Sequence, residues 1–91
     1  MNSVDVLGLV AASLTSLSFL PQVIKTVRSR DTTSISLFMY SLFVTGVGCW
    51  LIWGIMVNQV PVIIANVVTL LLAAVILGMK LYAVFVKKEP I

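Results

Sequence analysis

Few side chains in the uncharged stretches of this 91-residue chain can do chemistry. Trp50 and Asn66 each lie roughly five to six residues inside one end of successive apolar runs, deeper than the interfacial belt where tryptophan usually anchors. The asparagine amide carries two donors and two acceptor lone pairs that hydrocarbon leaves unsatisfied. A neutral amide beside an indole face suits a neutral polyhydroxy ligand. The amide exchanges hydrogen bonds with hydroxyls while the indole covers the apolar C–H face, which is sugar-like chemistry. The same pair also admits a plainer reading, an amide bonded to backbone and a tryptophan packed in a bundle. Pro21-Gln22 is the second feature. The ring removes the amide that would bond to the carbonyl of Leu17 and crowds that carbonyl, so a helix crossing this point is expected to bend. Such a bend is a candidate hinge, or else a tolerated membrane kink or a helix end.

Other chemistries lack their residues. There is no histidine, and Asp5, Asp31 and Glu89 all fall near the ends of apolar runs. No cluster of acid, base, nucleophile or metal ligands arises, which argues against an enzyme and implies no cofactor and no metal. Proton-driven carriers usually hold a carboxylate or histidine within the membrane as a relay, and none is placed there, so any transport is expected to be passive. Cys49, single and mid-run, reads as a small packing residue.

The elements that must position these residues follow from composition. The chain is 60% hydrophobic and 10% charged, with mean hydropathy +1.17, too apolar to fold as a water-soluble domain. Val6 to Ile24 is free of charge, and so is Ser34 to Met79, which divides near Asn58-Gln59-Val60-Pro61. The chain is thus one domain of three spans, approximately residues 4–27, 34–57 and 61–84, each long enough to cross about 30 Å of hydrocarbon as a helix. Asp31, Thr32, Thr33 and Ser34 all offer N-caps for the second helix, and Pro61 suits the first turn of the third. The first run is longer than a signal-peptide core and has no preceding Lys or Arg, so it reads as a retained span.

All six basic residues fall on one side: Lys25, Arg28 and Arg30 between spans one and two, and Lys80, Lys87 and Lys88 at the end. By the positive-inside bias that side is cytoplasmic, with the amino terminus and the Asn58 to Pro61 turn outside. The net charge of +3 therefore reports topology, not a nucleic-acid partner. Leu81 to Val86 either continues the third helix while Lys80 snorkels to the interface, or lies in the headgroup layer.

Helical spacing sorts the residues within the spans. Gly8, Ala11, Thr15, Ser18 and Gln22 form a small and polar stripe; Met39, Phe43, Gly46, Trp50 and Trp53 form an aromatic one; Asn66, Thr69 and Ala73 align on the third span. Close helix packing accounts for most of the small residues. Trp53, nearer the outside, reads as a belt anchor or an outer lid.

Phe19-Leu20-Pro21-Gln22-Val23-Ile24-Lys25, Ile35-Ser36 with Met39-Tyr40, and Ala65-Asn66-Val67 resemble the SemiSWEET proteins, bacterial half-size sugar transporters of the PQ-loop superfamily. The resemblance runs in order over nearly the whole chain. It implies an all-α integral membrane protein of the bacterial inner membrane, a three-transmembrane-helix bundle in spatial order 1-3-2, paired as a parallel homodimer of six helices. Trp50 and Asn66 match the sugar-pocket positions, Pro21 and Gln22 the hinge motif, and Phe19 and Met39 the cytoplasmic constriction. Independently, three helices about 8–10 Å apart leave no room for a hexose, so a second copy is required, in the orientation the shared basic side dictates. The expected partners are a second copy, a mono- or disaccharide and membrane lipid. One departure stands out: where many relatives carry an aromatic and an oppositely charged pair at the outer mouth, this chain has Trp53, Val57 and Gln59, so closure is expected from Trp53 against its symmetry mate. Two other readings stay open, a non-transporting membrane assembly protein and a PQ-loop carrier of another small neutral solute such as an amino acid.

Overall fold

The computed structural model describes residues 2–91, which form three helices: α1 (Ser3–Ser29), α2 (Leu37–Met56) and α3 (Val60–Phe85). All three are long and apolar enough to cross a membrane. The start of α1 is capped by Asn2, whose Oδ1 accepts from the Asp5 amide at 2.8 Å. Arg30 ends it in the left-handed region, φ 56°, with its amide donating to the Thr26 carbonyl. Helix α1 runs through Pro21 without interruption, so the proline does not end it.

The start of α2 corrects the sequence reading. Its N-cap is Ser36, whose Oγ accepts from the Met39 amide at 3.2 Å, and none of Asp31, Thr32, Thr33 or Ser34 fills that role. They form the preceding turn, in which the amide and hydroxyl of Thr33 both donate to Asp31 Oδ1 and the Ile35 amide donates to the Thr32 carbonyl. An oxygen committed to its own turn cannot also cap a helix. A tight turn with Asn58 at φ 56° joins α2 to α3, and Pro61 sits buried in the first turn of α3, where its missing amide costs no hydrogen bond.

Helix α3 lies between α1 and α2 and packs against both, giving the order 1-3-2. The molecule is a slab of 49 × 24 × 14 Å, tall enough to span the membrane and one or two helices thick. Beyond Gly8, close packing on α3 uses a stripe one register step from the one expected. Gly8, Ala12 and Ser16 are half-buried, whereas Ala11, Thr15, Ser18 and Gln22 are exposed. Thr15 and Ser18 instead return their hydroxyls to α1 carbonyls. At Gly8 an added Cβ would come within 3.2 Å of Pro61, and at Gly54 within 3.0 Å of Val62, so α3 is approached closely from both sides.

The core is concentrated toward the end bearing the basic residues. Val23, Ile35, Tyr40, Ala73 and Ile76 form it, with Phe19, Val44, Leu72 and Leu77 packed against it. Below it the chain turns back on itself. Helix α3 continues to Phe85, after which Lys88 adopts φ 63° and the last residues return under the bundle. Lys80 does not snorkel: it is fully buried, because the returning tail brings it a counter-charge. Its Nζ donates to Glu89 Oε2 at 2.7 Å, the Thr32 carbonyl at 3.0 Å and the Pro90 carbonyl at 3.1 Å, satisfying all three donors. The Thr32 hydroxyl donates to the same Glu89 oxygen at 2.7 Å, and the Leu37 amide at the start of α2 donates to the Ile91 carbonyl. These bonds from Lys80 and Thr32 hold the Glu89 carboxyl below the usual carboxylate range.

Candidate functional site

The two residues singled out for ligand chemistry meet in one place. Trp50 of α2 and Asn66 of α3 line a common recess of about 350 Å³ with Gly8 and Ala12 of α1 and Pro61 and Ala65 of α3. The elements explain the meeting. Gly8 and Gly54 let α1 and α2 close on the first turns of α3, and Pro61 fixes where that helix starts, so Asn66 arrives one to two turns inside the membrane. Apart from the asparagine amide the recess walls are apolar, and no charged side chain lines it.

Asn66 Nδ2 donates to the Val62 carbonyl of its own helix at 2.8 Å. The plainer reading of the amide is thus realised in part, but as a bond within α3 and not one gluing two helices. That bond uses one N–H and fixes the rotamer, leaving the Oδ1 acceptor and the second N–H for another group. Trp50 is 58% exposed in the single chain, and Trp53 packs edge-on against it with ring centroids 5.4 Å apart and planes at 85°. The outer-lid candidate therefore touches the wall of the recess. Both rings, with Gly46 and Cys49, border a second hollow of about 510 Å³.

The remaining candidates are separated. Phe19 is half-buried and stacks on Phe43 of α2, centroids 6.1 Å and planes 28° apart, while Phe43 meets the buried Tyr40 edge-on at 5.9 Å. Met39 is exposed at the start of α2 and is not part of that stack. Pro21 and Gln22 are exposed on α1, where Pro21 borders an open hollow with Ile24, Lys25, Arg28 and Ser29, apart from the recess that holds Trp50 and Asn66. Val57 and Gln59 are exposed beside the α2–α3 turn.

The whole aromatic stripe of α2, from Met39 to Trp53, is bare in one copy of the chain, as is the Ala11–Gln22 stripe of α1. The recess beside Trp50 is open on one side. Gly8 was visible in the sequence through its spacing, but the contributions of Ala12, Pro61 and Ala65 were not, because none carries a polar atom that a ligand argument would seek.

A model of the PQ loop repeat matches residues 4–63. Among characterised proteins, the chain is 49% identical to the sugar transporter SemiSWEET of Escherichia coli (strain UMEA 3162-1), over 85% of this chain and 86% of that protein. It is 47% identical to the sugar transporter SemiSWEET of Leptospira biflexa, over 85% and 91%. Among solved structures, a SemiSWEET in the inward-open conformation matches with TM-score 0.91 at 45% identity, covering 97% of this chain and 95% of that one. A bacterial homologue of SWEET transporters matches with TM-score 0.80 at 28% identity, covering 88% and 96%.

Proposed function

The chain belongs to the SemiSWEET family of PQ-loop proteins, and on that premise we propose that it works as a parallel homodimer that passes small neutral sugars down their gradient by alternating access. The observation that carries this reading is the open half-site: Trp50 and Asn66 share one uncharged recess that a single copy leaves unclosed. Two copies facing each other would place two indoles and two amides around a neutral ligand, with indole faces against C–H groups and amides against hydroxyls. The free acceptor and donor of Asn66 match a hydroxyl, which both gives and takes a hydrogen bond. A zwitterion would ask this interior for charged contacts it does not supply, which favours a sugar over an amino acid.

Both copies lie in the inner membrane with the amino terminus outside and the basic end in the cytoplasm. Pro21 and Gln22 form the hinge about which α1 rocks, since the Leu17 carbonyl has no amide partner from Pro21 and bending there breaks no backbone bond. Phe19 and Met39 narrow the cytoplasmic side, and Trp53 meets its symmetry mate at the outer mouth in place of a charged latch. Uniport requires the two open states to lie close in energy, because a gap of a few kcal/mol leaves one nearly empty.

The test is counterflow of a panel of labelled mono- and disaccharides into liposomes holding only this polypeptide. Sugar exchange that is independent of a proton gradient and is abolished in Trp50→Ala and Asn66→Ala supports the reading. No exchange of any sugar by the parent chain overturns it in favour of an assembly role, and exchange of a neutral amino acid alone reassigns the substrate.

A further inference from the structure

The returning tail builds a second site on the opposite side of α3. Val75 lies nine residues beyond Asn66, which at about 100° per residue turns it roughly 180° away from the recess. There Ala74, Val75, Gly78 and Tyr82 form the floor of a groove of about 490 Å³, closed at its basic end by Arg30 and Lys87. Gly78 has open space where a side chain would stand, so the floor of the groove is clear at that point.

The charge at its mouth is positive. Glu89 also borders the groove, but its carboxylate is engaged by Lys80 and Thr32, and Asp31 nearby accepts from Thr33. Among the described residues neither Arg30 nor Lys87 has an ion-pair partner. Arg30 stands at the left-handed cap that ends α1, and Lys87 in the turn that returns the tail. The Lys87 ammonium rests 5.7 Å from the centre of the Tyr82 ring. Two unpaired cations and a tyrosine at the end of a membrane-spanning helix, beside a groove floored by Ala74, Val75 and Gly78, are the complement of a phosphodiester with an attached chain.

We propose that this groove binds an anionic phospholipid, with its phosphate between Arg30 and Lys87 and one acyl chain along Ala74, Gly78 and Tyr82. The Lys80–Glu89–Thr32 node serves the site by holding the tail, and hence Lys87, opposite Arg30. Bound lipid would tie the tail to the α1–α2 connection from outside, as the node does from within.

The experiment is native mass spectrometry of the purified protein with phosphatidylglycerol or phosphatidylcholine. The parent is expected to retain phosphatidylglycerol several-fold better. Arg30→Gln with Lys87→Gln should erase that preference, whereas Lys25→Gln with Lys88→Gln, which removes the same charge elsewhere on the same end, should keep it. Gly78→Leu, filling the groove where there is room for a side chain, should lower retention with the cations intact. Equal retention of the two lipids by the parent would overturn the proposal, as would equal loss in both double variants. So would an unchanged Gly78→Leu together with full displacement by inorganic phosphate, which would mean an anion is held without its lipid.

Discussion

The two ends of this bundle are built on opposite plans. At the basic end, aliphatic and aromatic side chains from all three helices interlock around Ile76, and a charged residue is buried with each donor satisfied. At the other end, helices meet through glycine, proline and small side chains, and two tryptophans stand half out of the bundle. Packing that fills space leaves nothing for a ligand, while backbones brought close by glycine leave their larger neighbours to wall a recess. The difference teaches which end holds the chain together and which end keeps an open recess.

The sharpest way to break the comparison is to exchange consequence for position. Trp50→Ala and Asn66→Ala should reduce sugar counterflow to background while thermal stability hardly moves, because the indole is largely exposed and the Asn66 bond lies within its own helix. A large loss of stability in either would make them packing residues. Conversely, Ile76→Ala removes a side chain only 1% exposed and should cost about 2–5 kcal/mol. Leu71→Ala, 65% exposed on the same helix, should stay within about 0.5 kcal/mol, measured by reversible unfolding in the same detergent.

A subtler effect tests the tail. The Glu89 carboxyl is held below its ordinary value of 4.5, so its contribution is complete above that value and lost as pH falls through the lowered one. Its facing groups are Lys80 and Thr32, with Asp31 opposing. Amide protection over residues 86–91, measured against the intrinsic exchange rate at each pH, should therefore be high at neutral pH and lower under acid conditions, and in Glu89→Gln it should already be low at pH 7. Equal protection in parent and variant would show that Lys80 does not hold the tail. The smallest expected change belongs to Pro21→Ala, which should slow exchange several-fold while ligand affinity stays within about twofold, since a hinge acts on the interconversion and not on the site. Unchanged exchange would remove the hinge from Pro21.

The sequence spoke most clearly where physics is one-dimensional. Lengths of apolar runs, the one-sided basic charge and the meeting of Trp50 with Asn66 were all legible, because span length and depth depend on counting residues. What stayed hidden depends on which neighbour arrives. Asp31, Thr32, Thr33 and Ser34 were four plausible caps, but Asp31 and Thr33 bond each other, Thr32 bonds Glu89, and the helix begins late enough that Ser36 caps it. Lys80 looked like a snorkelling terminus until Glu89, nine residues on, folded back to meet it. The small stripe of α1 was right at Gly8, which packs on α3, and off by one register step beyond it, since Ala11–Thr15–Ser18 and Ala12–Ser16 lie on neighbouring faces with similar compositions.

The dependence of the far-end recess on a second copy is open to a direct measurement. Parent and Trp50→Ala chains are mixed in equal amounts, allowed to re-pair, and assayed for labelled-sugar counterflow at fixed total protein. A cleft that needs both tryptophans leaves only the parent pairs active, so counterflow should fall to about one quarter of the parental rate under random pairing into dimers. Retention of about one half, in simple proportion to the parent chain present, would mean that each copy works alone and would contradict the shared cleft.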